Sequence, residues 1–342
     1  MATKAKQQTS TSVETLIEAA FAQLKQMGAG AEATTLFPNG LENLELEVNS
    51  SDGARVSLKL ATSPSTAASG VDDNLHTMLD TDVVATFNAE GHKVVALIAQ
   101  EDLTAHFPNT WKKVQKVLDN GNRALLDAAI FPDSVLRTTH PETKPLHFID
   151  IVFTAGAPNN PPPPLPPPPH ILTKIAESTA TLKAGGSTQL LVDELSWLIH
   201  LIGDVHQPLH CTTHVTPAHP APQGDRGGNS FKLKGMPNNL HSVWDSSVSF
   251  QHNLDDLSLA QSIMQEHTRQ KLAADLLITD AEKWARNSFN LAKQFAYGPL
   301  TENPASPPKL TAAYLKQTEK IGRKQAALAG YRLADRLKNI FG

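Results

Sequence analysis

The segment LSWLIHLIGDVHQPLH, residues 195–210, limits the fold of this chain more than any other part of the sequence. Within it His200 and Asp204 are four residues apart, so on an α-helix their side chains lie on the same face, one turn apart. The surrounding side chains are apolar, and burying a carboxylate and an imidazole among them costs several kcal/mol unless they are paired or bound to a metal. His210 follows Pro208, where the helix is expected to end. The segment therefore predicts a buried helix that carries metal ligands.

Four further segments carry histidine or aspartate in comparable settings. In NLHSVWD a histidine and an aspartate are four residues apart, and in PLHFID they are three apart. AIFPDSV has an aspartate after a proline, and FNAEGH has a histidine at the head of a predicted helix. One such pair is weak evidence, but several within one helical region are far more specific. Nitrogen and oxygen ligands without thiolate suit a catalytic Zn²⁺ cluster, although Mn²⁺ and Fe²⁺ bind similar donors. The candidate ligands are His92, Asp133, His147, His200, Asp204, His210, His241 and Asp245.

Apolar residues recur with helical spacing from about residue 87 to the C-terminus. Strand-like alternation is nearly absent there, so we predict an α-helical domain over residues 87–342. A run of prolines at 161–169 predicts an extended surface loop inserted in this domain, because proline fixes φ and cannot donate to a helix. Recognition of this loop by a proline-binding domain is the alternative. The predicted helices span 92–102, 110–129, 188–205, 256–270, 275–296 and 308–341.

Residues 1–80 predict a small α+β extension. A capping box opens a predicted helix over 12–27, and alternating apolar residues over 44–48 and 56–60 predict a β-hairpin. Small polar residues over 61–80 predict a linker. The predicted fold class is therefore mainly α, with a small N-terminal α+β extension.

The charge balance restricts how this chain could bind nucleic acid. Charged residues make up 19% of the sequence and the formal net charge is -4, so there is no basic excess to grip phosphate backbones. Any such binding must draw positive charge from elsewhere, and bound metal ions are the obvious source. The single cysteine, Cys211, excludes an intrachain disulfide. No signal peptide or membrane span is evident, and the location of the protein stays unknown.

Taken together, these motifs resemble those of the S1/P1 nuclease family of zinc enzymes, which is itself similar to the zinc-dependent phospholipases C. The resemblance covers about residues 87–342 and implies a helical phospholipase C/P1 nuclease-like domain. It rests on FNAEGH, FPDSV, LHFID, WLIHLIGDVHQPLH, GGN, NLHSVWD, WARNSFNLAKQFAY and AGYRLADRL.

The resemblance implies three zinc ions and a ligand set for each. The sets are Asp133, His147, His200 and Asp204 for one ion, Asp204 and His92 for the second, and His210, His241 and Asp245 for the third. It also implies that Asp150 orients or deprotonates the attacking water and that Asn229 contacts the scissile phosphate. Phe148 would be a platform on which a base stacks.

This chain departs from the family pattern in three places. Family members begin at a tryptophan whose amine and carbonyl bind zinc, whereas the main chain of Phe87 occupies that position here, behind 86 residues. A free amine would exist only after cleavage between Thr86 and Phe87. An arginine commonly follows the first aspartate by three residues, but here Leu136 holds that position and Arg137 comes next. Family members are also usually exported and often disulfide-bonded, whereas this chain shows no evident signal peptide and has a single cysteine.

The leading hypothesis is a zinc-dependent endonuclease that hydrolyses single-stranded DNA or RNA to 5′-nucleotides, with 3′-nucleotidase activity as a further activity. Phe148 favours nucleic acid, because a lipid head group needs no stacking face. The nearest alternative is a zinc-dependent phospholipase C with the same metals. The third hypothesis is a non-catalytic binding protein in which the metal ions only stabilise the fold. The presence of Asp150 and Asn229 argues against it.

Overall fold

The fold follows from a computed structural model that describes residues 89–154, 162–248, 250 and 254–342, together with the backbone of three strands nearer the N-terminus. The chain divides into two compact units, Met1–Thr81 and Asp82–Gly342. The predicted helix over 12–27, almost all of the predicted linker and Phe87 lie outside the described residues.

The first unit contains an antiparallel sheet of three strands, β1 (Glu32–Leu36), β2 (Asn43–Asn49) and β3 (Arg55–Ala61), in that order. The predicted hairpin is confirmed, because β2 pairs with β3 along its whole length. The strand β1 was not predicted. Its sequence, EATTL, lacks the alternation of apolar and polar residues on which the hairpin prediction rests.

The second unit is mainly helical, as predicted. A short parallel pair, β4 (Val152–Thr154) with β5 (Thr213–Val215), was not predicted, since three residues are too few to show a period. Among the described residues, no helix combines the length and the apolar character that crossing a membrane requires. Besides a three-residue helical turn, Arg137–Thr139, the α-helices of the described residues are α1 (Ala89–His106), α2 (Pro108–Asn120), α3 (Leu125–Phe131), α4 (Ile171–Ala184), α5 (Thr188–Asp204), α6 (Leu240–Asp245), α7 (Asp256–Glu266), α8 (Ala273–Leu276), α9 (Ala281–Leu291) and α10 (Ala312–Phe341).

The centre of this unit is α5, which contains the segment singled out in the sequence. The Ser187 hydroxyl caps its start by accepting a hydrogen bond from the Leu190 backbone amide. From Leu195 to Asp204 every residue is buried, including the polar residues Ser196, His200 and Asp204. The helix packs against α3, α4 and α10. Its ligand-bearing face is therefore held inside the unit, away from solvent.

Two of the predicted helices are each broken in two, and the helix predicted over 256–270 already ends at Glu266. The predicted helix over 110–129 is two helices, because α2 ends at Asn120 and α3 begins at Leu125. Gly121 lies in the break, where a Cβ atom would collide with the side chain of Val192. The predicted helix over 275–296 is also broken, because α8 ends at Leu276 and α9 begins at Ala281, where the Asp280 side chain accepts a hydrogen bond from the Lys283 amide. It then continues as a π-helical turn, Ala292–Tyr297.

The described part of the proline run, residues 162–169, forms no helix or strand. Leu165 within it packs against the hydrophobic core. Arg286 of α9 donates a hydrogen bond of 3.1 Å to the Pro163 carbonyl oxygen. These two contacts attach the run to the helical unit.

Close packing of α1 against α10 generates the first prediction. Gly330 of α10 lies where a Cβ atom would collide with Ile98 and come within 3.1 Å of the Val95 carbonyl oxygen. We expect Gly330→Ala to lower the free energy of unfolding, because overpacking costs about 1–3 kcal/mol while the better helix propensity of alanine recovers about 1 kcal/mol. Urea denaturation of both proteins measures the difference. Lys316→Ala, at an exposed position of the same helix, is the control, and equal stability of all three proteins would contradict the prediction.

Candidate metal centre

All eight candidate ligands meet in one region of the helical unit. They come from α1, α5, α6, the π-helical turn Pro132–Leu136 and the 3₁₀ turns Pro141–His147 and Pro208–Cys211. They form three groups, and within each group one ligand atom per residue lies within 4.8 Å of the others. The groups are His92, His200 and Asp204; Asp133, His147 and His200; and His210, His241 and Asp245.

The carboxylate of Asp204 belongs to the first group and also faces the second. Its Oδ1 is 3.3 Å from His92 Nε2, while its Oδ2 is 3.1 Å from His147 Nδ1 and 3.2 Å from His200 Nε2. Burial raises the pKa of this carboxyl, but the neighbouring imidazoles outweigh burial and hold the pKa well below its usual range. Asp204 is therefore an ionised, solvent-free carboxylate that faces two clusters at once.

Backbone carbonyl groups orient three of the imidazoles. The Nδ1 atoms of His200, His210 and His241 lie 2.8, 2.9 and 2.7 Å from the carbonyl oxygens of three residues elsewhere in the chain. A ring that donates from Nδ1 presents the lone pair of Nε2, which is the atom that binds a metal. These contacts fix the tautomer and direct Nε2 toward the clusters. The accepting residues are Ala129, His147 and Gly227, in that order.

The unsatisfied polar atoms of the region fit a bound metal ion. Within the described part of the chain, several buried side-chain atoms make no hydrogen bond, and such atoms are costly unless an ion satisfies them. Nitrogen and carboxylate oxygen are the donors that suit zinc in a catalytic site. The atoms are both carboxylate oxygens of Asp133, Oδ1 of Asp204, Oδ2 of Asp245 and Nε2 of His147 and His210.

A cleft opens beside these clusters and contains the three further residues singled out in the sequence. Phe148, Asp150 and Asn229 line it together with ligands from two of the groups. Burial and the nearby Asp225 carboxylate raise the pKa of Asp150 to about 6. The cleft thus holds a carboxylate, an amide and an aromatic ring next to the candidate metal positions. Phe87, by contrast, lies outside the described residues.

Three cationic side chains also line the cleft: Arg137, Lys144 and Arg226. Arg137 Nη1 lies 3.7 Å from Asp133 Oδ1, four residues earlier. The turn that joins them, Pro132–Leu136, is π-helical and therefore contains more residues per turn than an α-helix. This extra residue explains how an arginine one position later than the family pattern still faces both the aspartate and the cleft.

The glycine-rich turn at residues 224–229, GDRGGN, is supported by residues that sequence reasoning missed. Asp225 is fully buried, accepts a hydrogen bond of 2.8 Å from the Tyr297 hydroxyl and accepts another of 2.9 Å from the His214 amide. Gly227 has φ +62° and lies against the Leu209 carbonyl oxygen, so only glycine fits there. The turn carries Asn229 at its end and offers the Gly227 carbonyl to His241. The motifs GDRGGN and WARNSFNLAKQFAY contain Asp225 and Tyr297, but nothing in the sequence indicated that these two side chains meet.

Gln207 is the second residue that was missed. Its amide Nε2 donates a hydrogen bond of 2.7 Å to Asp245 Oδ1, and its amide oxygen accepts one from the Leu209 backbone amide. The side chain is buried and connects two parts of the third group. Its place between two candidate ligands, in DVHQPLH, was the signal that could have found it. Cys211 is buried and outside the three groups, as expected for a small core residue.

Comparison with known proteins accounts for this arrangement. The model of the S1/P1 nuclease family matches residues 87–342. The chain belongs to the S1/P1 nuclease family. The resemblance seen in the motifs is therefore confirmed, and it covers the whole helical domain.

Three relatives in the family are 25–29% identical to this chain over the aligned residues. Endonuclease 4 of Arabidopsis thaliana is 29% identical over 167 residues, which are 44% of this chain and 51% of the relative. Nuclease S1 of Aspergillus oryzae is 28% identical over 170 residues, which are 46% and 53%. Nuclease P1 of Penicillium citrinum is 25% identical over 285 residues, which are 75% and 98%. The chain thus matches about half the length of the first two relatives and nearly all of the third.

The clusters predict that metal removal destabilises the protein. An ion present at a thousandfold excess over its Kd adds about 4 kcal/mol of stability, so we expect exhaustive dialysis against EDTA to lower Tm by roughly 8–16 °C. Differential scanning calorimetry before dialysis, after dialysis and after addition of zinc measures this change. An unchanged Tm in protein shown by mass spectrometry to have lost its metal would contradict the prediction.

The contacts of Gln207 predict that removing its side chain weakens metal binding by the third group. We expect Gln207→Ala to lower metal affinity by about 10–100-fold at the group containing Asp245, which is the usual effect of deleting a residue that orients a ligand. Competition with a fluorescent chelator measures the release of each ion. Gln189→Ala, at an exposed position of α5, is the matched control. Identical release curves for the two variants would show that Gln207 does not support the site.

Proposed function

We propose that this protein is a zinc-dependent endonuclease that hydrolyses single-stranded DNA or RNA to 5′-nucleotides. The observation that carries the proposal is the cleft in which Phe148, Asp150 and Asn229 stand beside two groups of candidate ligands. Membership of the S1/P1 nuclease family supports it, as do the names of the relatives. Activity on 3′-nucleotides is a further part of the proposal, since the same cleft would bind a terminal phosphate.

The three ligand groups would each hold one zinc ion. When bound, zinc supplies positive charge to the phosphate and makes water more acidic. A carboxylate with a raised pKa can then take up a proton near neutral pH, and Asp150 has this property in the cleft. In the reaction the water oxygen would form a bond to phosphorus while Asp150 accepts a proton of the water. The bond to the 3′-oxygen would break, and that oxygen would leave as a hydroxyl after taking a proton from solvent.

The remaining cleft residues would bind the substrate. The Asn229 Nδ2 donates one hydrogen bond of 2.8 Å to the Arg226 carbonyl oxygen, which leaves its second hydrogen for a phosphate oxygen. The three cations Arg137, Lys144 and Arg226 provide local positive charge for flanking phosphates in a chain whose net charge is -4. Phe148 is half-buried at the cleft wall, where an unpaired base could stack on its ring. A duplex does not present its bases in this way, which favours a single strand.

The lining of the cleft also bears on the two alternatives. A phospholipase C needs several large apolar side chains around the cleft for lipid chains, whereas the large apolar side chains among the residues that line this cleft are Phe148 and Leu209. A non-catalytic protein in which the metal ions only stabilise the fold has no need for Asp150 or Asn229 in the cleft. The same assays distinguish all three functions.

The test measures zinc content and nucleotide release from the purified full-length chain, with and without EDTA. We expect chelator-sensitive release of 5′-nucleotides from single-stranded DNA and little release from duplex DNA. Asp150→Asn should lower kcat by about 10²–10⁴-fold, the usual contribution of a general base, while the zinc content stays the same. Asp119→Asn, at an exposed position of α2, is the control for the loss of a charge.

The outcomes separate the candidates. Hydrolysis of phosphatidylcholine without release of nucleotides would replace the nuclease by a phospholipase C. Bound zinc without either activity would favour the non-catalytic protein. Full activity of Asp150→Asn would remove the role proposed for that carboxylate and leave the rest of the site standing.

A further inference from the structure

The segment 205–207 connects α5, which ends at Asp204, to the 3₁₀ turn that carries His210. From this segment Gln207 contacts the third ligand group. The residue before it, His206, is also buried, and its hydrogen bonds are with α5 and α10. It is a histidine between two candidate ligands, yet it belongs to none of the three groups. The role of this buried imidazole must therefore lie in its other contacts.

The side chain of His206 ends the central helix. In a continuing α-helix the His206 amide would donate to the Ile202 carbonyl oxygen, but here it donates to the Gly203 carbonyl oxygen, at 3.0 Å. The Ile202 carbonyl oxygen instead lies 2.7 Å from His206 Nδ1. A carbonyl oxygen can only accept, so Nδ1 carries the hydrogen and donates it. The imidazole thus replaces the missing backbone bond at the end of α5, two residues after Asp204.

Arg332 of α10 holds the other nitrogen atom of this ring. Its Nη1 lies 2.7 Å from His206 Nε2. Because a guanidinium can only donate, Nε2 accepts and the imidazole is neutral. A hydrogen bond from a charged donor is roughly twice as strong as one between neutral groups. Water does not compete for it, since Arg332 is only 5% exposed. Arg332 therefore fixes both the tautomer and the orientation of His206.

The remaining partners of Arg332 are neutral. Its Nη2 donates a hydrogen bond of 2.8 Å to the Asp275 carbonyl oxygen, and its guanidinium lies 5.1 Å from the centre of the Trp284 ring. The carboxylate of Asp275 forms an ion pair of 2.9 Å with Lys324 instead. Burying a cation among neutral groups is costly, and an apolar side chain could fill the same space at lower cost. The presence of a guanidinium here favours a role for its bond to the imidazole.

Two further hydrogen bonds attach the backbone of the same segment to neighbouring helices. The Ser288 hydroxyl of α9 donates one of 2.7 Å to the Val205 carbonyl oxygen. Gln325 Nε2 of α10 donates one of 3.0 Å to the His206 carbonyl oxygen. Both side chains are buried, as Arg332 is. Three side chains of α9 and α10 therefore hold this segment, and none of the three is a candidate ligand.

We propose that Arg332 is a positioning residue of the metal centre and acts through His206 on the third ligand group. The inference rests on the metal binding included in the proposed function. The segment that Arg332 holds leads directly to Gln207, which contacts Asp245, and to His210. A shift of this segment would therefore move two parts of the third group together. The first two groups depend on it less, because all their ligands lie before it in the chain.

The test measures zinc affinity in variants of the full-length chain by competition with a fluorescent chelator. His241→Ala removes a ligand of the third group and so identifies the release step of that group. Arg332→Met removes the charge and the donors. We expect it to weaken zinc binding in that step at least about tenfold, the lower end of the usual effect of residues that orient ligands. The matched control is Arg323→Met, because Arg323 is a second buried arginine of α10 and pairs with Glu266 instead. It should match the wild type.

Two more variants separate positioning from a general loss of stability. Arg332→Lys keeps a positive charge and a donor for His206, so it should recover part of the lost zinc affinity. Gln325→Met removes the hydrogen bond to the His206 carbonyl oxygen and should weaken the same release step by a smaller factor. It keeps the test decisive if Arg332→Met does not fold. Calorimetry of the metal-free proteins measures stability, and Arg332→Met and Arg323→Met should both lower Tm.

The results distinguish this proposal from the proposed function. Wild-type affinity of the third group in Arg332→Met would overturn the positioning role and leave the nuclease standing. If that variant does not fold, wild-type affinity in Gln325→Met would do the same. An equal loss in every release step, or an equal loss in Arg323→Met, would also overturn the role, because the effect would then be a general loss of stability. A wild-type protein that binds no zinc would overturn both proposals.

Discussion

The carboxylate of Asp204 is completely buried and lies within 3.3 Å of two imidazoles that come from other parts of the chain. Water cannot reach it, so its charge depends on the nitrogen atoms around it and on any ion that they hold together. Its position is set by α5, whose apolar faces are enclosed by neighbouring helices. The central helix therefore does two things at once: its apolar side chains form the core, and one of its faces places a carboxylate between two clusters.

Backbone atoms position the ligand side chains of the clusters as much as other side chains do. The rings of His200, His210 and His241 each rest on a carbonyl group from a distant segment, so folding of the chain sets their tautomers. The turns around these contacts are held in place by buried polar residues. Asp225 supports the turn that offers the Gly227 carbonyl, and Gln207 contacts Asp245 and the Leu209 amide of the turn that carries His210. Small changes in these turns would rotate the rings away from the clusters even if every ligand were kept.

The distribution of charge shows why net charge alone is a poor guide to what this protein binds. The chain is acidic overall, and its candidate metal centre contains three aspartates. Cations are nevertheless concentrated at the cleft, which is lined by Arg137, Lys144 and Arg226. Bound metal and local clusters of cations can thus present positive charge to a phosphate without a basic composition.

The sequence by itself determined the helical class, the central helix and the eight residues that meet in the clusters. It could do so because these features are local: His200 and Asp204 share a face through their spacing alone, and polar residues in an apolar helix need a partner. Only the tertiary structure decided that Gln207 contacts Asp245, that Tyr297 supports Asp225 and that the helix predicted over 110–129 breaks after Asn120. Those contacts join residues far apart in the chain, and such pairs are brought together by packing, which leaves no periodic signal in the sequence.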